Sequence, residues 1–255
     1  MPAPLNRLKQ ALEEGRQTIG CWLVLGDSYA AEIAARAGFD WCVIDNEHAP
    51  NDVRSTLVQL QALGQTPTSA VVRPPIGKTH LLKQFLDIGC QSFVVPMVEN
   101  AAQAIEMVRA TRYPPAGVRG VGASTARASG FNPHVDYLQT ANDQICLFVQ
   151  VESRAGLTAL SDILAVEGVD GVFIGPSDLS ADLGHLGNPN APEVVAAIEG
   201  ALDAIAASGK ASGIFAVDPA DAERYLVRGV SFVTVASDIN SMATALRKTV
   251  ERFRQ

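Results

Sequence analysis

Cationic side chains are in the minority in this chain, with 20 Lys and Arg against 27 Asp and Glu and a net charge of −7. Nucleic-acid binding needs clustered cations to meet phosphates, so DNA and RNA are poor candidate partners. Aromatic residues make up only 6%, too few for a base-stacking platform. No apolar run approaches the roughly 18 residues needed to cross a bilayer, so no membrane partner is expected. Met1–Gln17 is polar, helix-like and of mixed charge, without the apolar core of a signal peptide, and the expected location is the cytoplasm. The four cysteines, Cys21, Cys42, Cys90 and Cys146, lie singly in apolar segments, and no two share a CxxC spacing. They are expected to be buried, reduced thiols acting as small hydrophobes, not a disulfide framework or a zinc site.

Lysine is also misplaced for imine chemistry. None of Lys9, Lys78, Lys83, Lys210 and Lys248 ends an apolar strand, whereas a Schiff base needs a desolvated lysine facing the site. Gly77-Lys78-Thr79 looks like the end of a phosphate-binding loop, but Val72 stands where the first glycine is required.

What the chain does have is regular alternation. Short apolar runs at Thr18–Leu25, Trp41–Asp45, Ser69–Arg73, Ser92–Pro96, Ile145–Val151, Gly171–Gly175, Ala211–Ala216 and Ser231–Ala236 read as eight strands. Runs such as Phe93-Val94-Val95 lack polar alternation, as expected when both faces of a parallel sheet are buried. Helical segments lie between them. Ser28, Asn51 or Asp52, and Asn100 are candidate N-caps, and Gly38, Gly64 and Gly89 are stops. The closing helix is expected over Ser241–Phe253. Two long loops, Tyr113–Pro133 and Pro176–Pro189, are placed on the functional rim. Strict alternation over this length predicts one α/β domain, residues 1–255, folded as a (β/α)8 TIM barrel. The competing doubly wound sheet usually carries a Gly-rich turn after its first strand; here that turn is Gly26-Asp27-Ser28.

In such a barrel the C-terminal ends of the strands converge on one site. Those ends carry Asp45 with Glu47 and His48, then Arg73, Gln150 with Glu152, Ser177 with Asp178, and Asp238. Glu152 and Asp178, one β-α unit apart, make an oxygen-rich pair suited to Mg2+ or Mn2+ with positions left open for substrate. Equally, either carboxylate can cap a helix or pair with an arginine. His48 follows a strand end within a cluster of ionisable groups. It suits a general base if a carboxylate orients its other nitrogen, and Asp87 is a possible orienter. His80, His134 and His185 make no helical metal pair with it. Arg73 suits a carboxylate or an enolate oxygen, and equally a rim salt bridge. Glu47 is assigned a structural role.

Five segments together resemble the HpcH/HpaI aldolase/citrate lyase family: Asp45-Asn46-Glu47-His48-Ala49-Pro50, Val72-Arg73-Pro74, Gly117-Val118-Arg119-Gly120-Val121-Gly122, Gln150-Val151-Glu152, and Gly175-Pro176-Ser177-Asp178-Leu179-Ser180. The resemblance spans essentially the whole chain and is to the metal-dependent, class II pyruvate aldolases. It implies a barrel of the phosphoenolpyruvate/pyruvate-domain type, with the last helix exchanged between subunits and hexamers built from dimers. It implies a carbon–carbon lyase that reversibly cleaves 4-hydroxy-2-oxo acids to pyruvate, or a close 2-oxo acid, and an aldehyde through a metal-stabilised enolate. Glu152 and Asp178 would bind Mg2+, Mn2+ or Co2+, with no organic cofactor. His48 would be the acid/base in a dyad with Asp87, and Arg73 would stabilise the enolate. Gln150, Gly175, Pro176, Ser177 and Asp178 would lie against the pyruvyl unit, and Asp45 would help position His48 or a water. Asn46, Ser177 and Ala236 depart from common family residues near the rim, which bears on the choice of aldehyde. The alternatives are a lyase acting on acyl-CoA substrates, with Arg112, Arg119 and Arg127 as its only basic residues in and beside the insertion, and a non-catalytic barrel.

Overall fold

The computed structural model describes residues 2–132 and 135–254; Pro133 and His134 lie outside the described residues. Eight parallel strands pair in sequence order and close into a barrel. They are β1 (Thr18–Leu23), β2 (Trp41–Asp45), β3 (Ser69–Arg73), β4 (Ser92–Val95), β5 (Cys146–Val151), β6 (Gly171–Ile174), β7 (Ala211–Phe215) and β8 (Phe232–Ser237). The helices are α1 (Arg7–Glu13), α2 (Ser28–Arg36), α3 (Val53–Leu63), α4 (Thr79–Asp87), α5 (Ala101–Thr111), α6 (Val135–Thr140), α7 (Arg154–Thr158), α8 (Leu160–Leu164), α9 (Pro176–Asp182), α10 (Pro192–Ser208), α11 (Pro219–Val227) and α12 (Asp238–Phe253). Among the described residues no helix is long and apolar enough to cross a membrane.

The TIM-barrel expectation holds, and the strand bounds follow the apolar runs closely. The differences lie at helix starts. Asp27, not Ser28, caps α2, its carboxylate accepting from the amides of Tyr29 and Ala30. The stretch expected as a loop from Pro176 begins with α9, because proline suits the first helical turn, where no amide donor is needed. The last helix starts directly at Asp238, capped by Ser237 on the amide of Asn240.

The barrel interior is filled by side chains far larger than the usual branched aliphatics. Trp41 stacks on Phe232 with ring centres 3.6 Å apart, and Phe148 and Phe173 pack around Phe232. Leu8 of α1 joins this cluster. Glycines on adjoining strands make the room: a side chain at Gly20 would overlap the Trp41 ring, one at Gly171 would meet Phe148, and one at Gly213 would meet Phe173. The outward strand faces pack under the helices in a second, mainly aliphatic layer. All four cysteines are free and buried. Burial pushes the Cys21 and Cys90 thiols up to about 12, so they behave as apolar filler, as expected.

The described part of the Tyr113–Pro133 insertion, residues 113–132, does not lie on the functional rim. It follows the C-terminus of α5 and leads to the start of β5, and in a barrel of parallel strands both points lie at the N-terminal end. Arg127 of the insertion donates to the Ile88 carbonyl at 2.8 Å, just past the end of α4.

Candidate active site

The register of the parallel sheet sets Asp45 directly beside Arg73 at the ends of β2 and β3. The guanidinium grips the carboxylate with both arms, Nε to Oδ1 at 2.8 Å and Nη2 to Oδ2 at 2.6 Å. Nη1 pairs with Glu47 at 2.9 Å, and the group lies 4.9 Å from the centre of the Trp22 ring. Burial works to raise the Asp45 pKa, but the hydrogen bonds and charge of Arg73 outweigh it and hold the carboxyl below its usual range. Glu47 behaves the other way: burial raises it more than Arg73 and His48 lower it. Glu47 lies 3.9 Å from His48 Nε2, and the His48 ring is largely exposed at the rim.

Across the mouth, Glu152 follows the end of β5 and is 3% exposed. Its Oε1 accepts from the amide of Met97 at 2.9 Å. Met97 holds a positive φ of 56°, a conformation that costs a non-glycine residue on the order of 1 kcal/mol. That turn aims the amide at the carboxylate. Gln150 Nε2 donates to Glu152 Oε2, while Gln150 Oε1 is buried without a partner among the described residues. Burial, reinforced by the nearby charges of Glu47 and Asp178, raises the Glu152 pKa to about 7.

Between these walls is a cavity of about 260 Å3. It brings together eight of the expected residues: Asp45, His48, Arg73, Gln150, Gly175, Pro176, Ser177 and Asp178. Glu152 adjoins it beneath Gly175, where a Cβ would run into the Glu152 carboxylate. Asp87 is not brought to this site. It ends α4, at the opposite end of the barrel from His48, and pairs there with Arg119 at 3.4 Å; a His48–Asp87 dyad does not form within one chain. Asp238, another strand-end carboxylate, accepts from the amides of Val24 and Leu25 and ties β1 to the end of β8.

The residue reading missed Trp22, Phe173 and Phe215, which supply the aromatic wall of the cavity, and Ile239 and Asn240 from the first turn of α12. Trp22 near the end of β1 was a usable signal. Asn240 was not, because the last helix was expected to begin after it.

The residues on the Glu152 side fit a hard divalent cation. Glu152 feels the charges of Glu47 and Asp178, Gln150 Oε1 has no partner among the described residues, and the missing side chain at Gly175 leaves room beside the carboxylate. Among the described residues no group of three or more His, Cys, Asp or Glu is arranged to hold a metal ion, so the two carboxylates would need substrate or water to complete a cation's shell.

The HpcH/HpaI aldolase/citrate lyase family model matches residues 18–245. The chain belongs to that family. Membership carries carbon–carbon lyase chemistry with it. The chain is 57% identical over 260 residues to the hydroxypyruvate/pyruvate aldolase of Deinococcus radiodurans, covering all of this chain and 94% of that one. It is 55% identical over 248 residues to an Escherichia coli 4-hydroxy-2-oxo-heptane-1,7-dioate aldolase, covering 97% and 95%. Its fold matches the crystal structure of an HpcH/HpaI family protein from Burkholderia cenocepacia with a TM-score of 0.95 and 42% identity, over 98% and 100% of the two chains.

Proposed function

We propose that this family member, taken as one barrel domain over residues 1–255, is a divalent-metal-dependent aldolase. It cleaves 4-hydroxy-2-oxo acids reversibly to pyruvate, or a close 2-oxo acid such as hydroxypyruvate, and an aldehyde. The observation that carries the reading is one cavity lined by a fixed Arg73, His48 and Asp178, with the buried Glu152 carboxylate directly against Gly175 of its lining.

Glu152 and Asp178 would hold Mg2+, Mn2+ or Co2+, and the cation would supply Lewis-acid polarisation of the 2-oxo group. The protein's own part follows from its geometry. Arg73 is immobilised by Asp45 and Glu47, so it meets the charge developing on the substrate's C2 oxygen without reorganising. His48 takes the proton of the C4 hydroxyl as the C3–C4 bond breaks; the bonding pair passes to the pyruvyl fragment, the aldehyde leaves, and C3 is then protonated. In synthesis the same groups run backward. Gln150, Gly175, Pro176 and Ser177 cradle the pyruvyl unit, and the aromatic wall excludes water.

A homo-oligomer, hexameric with an exchanged last helix, fits the outer surface. No residue of α12 is buried, and Ile239, Met242, Leu246, Val250 and Phe253 repeat at helical spacing with 46–79% exposure. The outer face of β1 and β8 is thinly covered: Ile19 is 37% exposed, and a cavity of about 380 Å3 opens beside Val235 and Ala236. A second copy's α12 would cover both. The His48–Asp87 dyad likewise requires a second copy. Four reduced thiols suit the cytoplasm.

The acyl-CoA alternative loses two of its three basic residues, since Arg119 is buried and Arg127 is engaged at the far end of the barrel. The deciding experiment is pyruvate release from 4-hydroxy-2-oxo acids of graded length and charge, with each metal and in EDTA. Metal-dependent release supports the reading. Full activity in EDTA, or turnover of CoA thioesters alone, overturns it.

A further inference from the structure

The N-terminal end of the barrel holds an arginine that the proposed chemistry leaves unused. Arg119 is 1% exposed, and a buried guanidinium ordinarily has its donors taken, because an unpaired one is costly. Here Nε has no hydrogen-bond partner among the described residues. Nη2 reaches the Tyr137 hydroxyl at 3.2 Å and Asp87 Oδ1 at 3.4 Å. The guanidinium lies over the Tyr113 ring, 4.3 Å from its centre, a contact that restrains the charge without using a donor.

The backbone beneath is rigid. The amides of Val118 and Arg119 donate to the carbonyls of Arg109 and Arg112 at 2.8 and 2.9 Å, and a side chain at Gly117 would collide with those same carbonyls. An arginine serving only to anchor the insertion would spend its donors on carbonyls, as Arg127 does on Ile88. Arg119 instead presents its charge to Asp87, the last residue of α4, whose side chain remains 34% exposed.

We propose that Arg119 is a positioning residue: it orients the Asp87 carboxylate for His48 of a second copy, so that the base of one barrel completes the mouth of another. The inference rests on reading His48 and Asp87 as a dyad formed between copies. A carboxylate at a helix end samples several rotamers, and a fixed cation beside it selects the one that can hydrogen-bond an imidazole.

Hybrid oligomers test this, made by co-expressing two differently tagged copies and purifying through both tags. Alone, Asp87→Asn and Arg119→Met are each expected to lower kcat by about tenfold or more, with KM for the oxo acid within about threefold, and His48→Ala by more. Paired with His48→Ala, both variants should regain activity, because one site in the hybrid then joins an intact His48 to an intact, oriented Asp87. Recovery with Asp87→Asn but not with Arg119→Met overturns the role of Arg119 and leaves the dyad standing. No recovery with Asp87→Asn overturns the dyad itself. Arg119→Lys, which keeps charge and stem, covers the case in which the methionine variant does not fold, and it should retain part of kcat. In an Asp87→Asn background neither Arg119 variant should lower kcat further. A further loss there assigns Arg119 to structure alone and overturns the proposal.

Discussion

Arg73 and Arg119 are both buried, but the two ends of the barrel treat them differently. At the mouth, Arg73 is held by Asp45 and Glu47 over the face of Trp22. At the base, Arg119 leaves Nε without a partner among the described residues and holds Asp87 at a longer reach. The first arrangement is complete within one chain and ready to meet developing charge. The second makes full sense only if something outside the chain uses what it holds. Between them lies an aromatic plug that carries no charged group. The contrast teaches that burial of charge marks a site only when the pairing is read along with it.

The largest expected effect lies at the mouth. Glu152→Ala or Asp178→Ala should cost more than about a thousandfold in pyruvate release, the several kcal/mol of a lost Lewis acid, with no metal retained on calorimetric titration. Retained metal and activity would move the cation elsewhere. Next is the plug: Trp41→Ala should lower stability by about 3–5 kcal/mol in denaturant unfolding, because the ring fills the barrel axis and its neighbours cannot collapse. A loss below about 1 kcal/mol would mean the interior is not the close-packed layer described.

Third is pH. The Glu152 pKa is raised from 4.5 to about 7, so in metal-free protein the folded state holds a proton that the unfolded state has already lost. Stability from this group therefore falls as pH rises from about 4.5 to 7, by about 3 kcal/mol in all. The parent in EDTA should show this fall relative to Glu152→Gln, and added cation should reverse it. Parallel stability profiles for the two proteins would contradict the assignment.

Arg73→Lys is expected to cost about 2 kcal/mol in kcat/KM, roughly 30-fold, since a lysine cannot grip Asp45 with two donors; near-parental turnover would make Arg73 a rim salt bridge. The smallest effect is at the thiols: alkylating reagents in the native state should leave activity unchanged and the cysteines unmodified, and fast labelling would contradict their burial.

Much of the fold was legible because a parallel barrel writes itself as repeated, unalternating apolar runs. The strand ends then named Asp45, Arg73, Gln150 and Glu152 without a structure. Less legible were features that depend on where a helix begins or where its far end goes. Asp27 displaced Ser28 as a cap because a carboxylate one residue earlier reaches two amides. The Tyr113–Pro133 insertion is expected on the rim, yet the connections of its described part, residues 113–132, fix that part at the base.

The sequence by itself determined the barrel, the family and the residues at the strand ends, since local periodicity and motif order suffice for those. Only the tertiary structure decided which of them meet. Register set Asp45 against Arg73, and packing drew Trp22 and Asn240 to the cavity and Glu47 to Arg73. The antiparallel return of α4 carried Asp87 away from His48 to the other end of the barrel, a separation set by the helix path through space and not by any residue's chemistry.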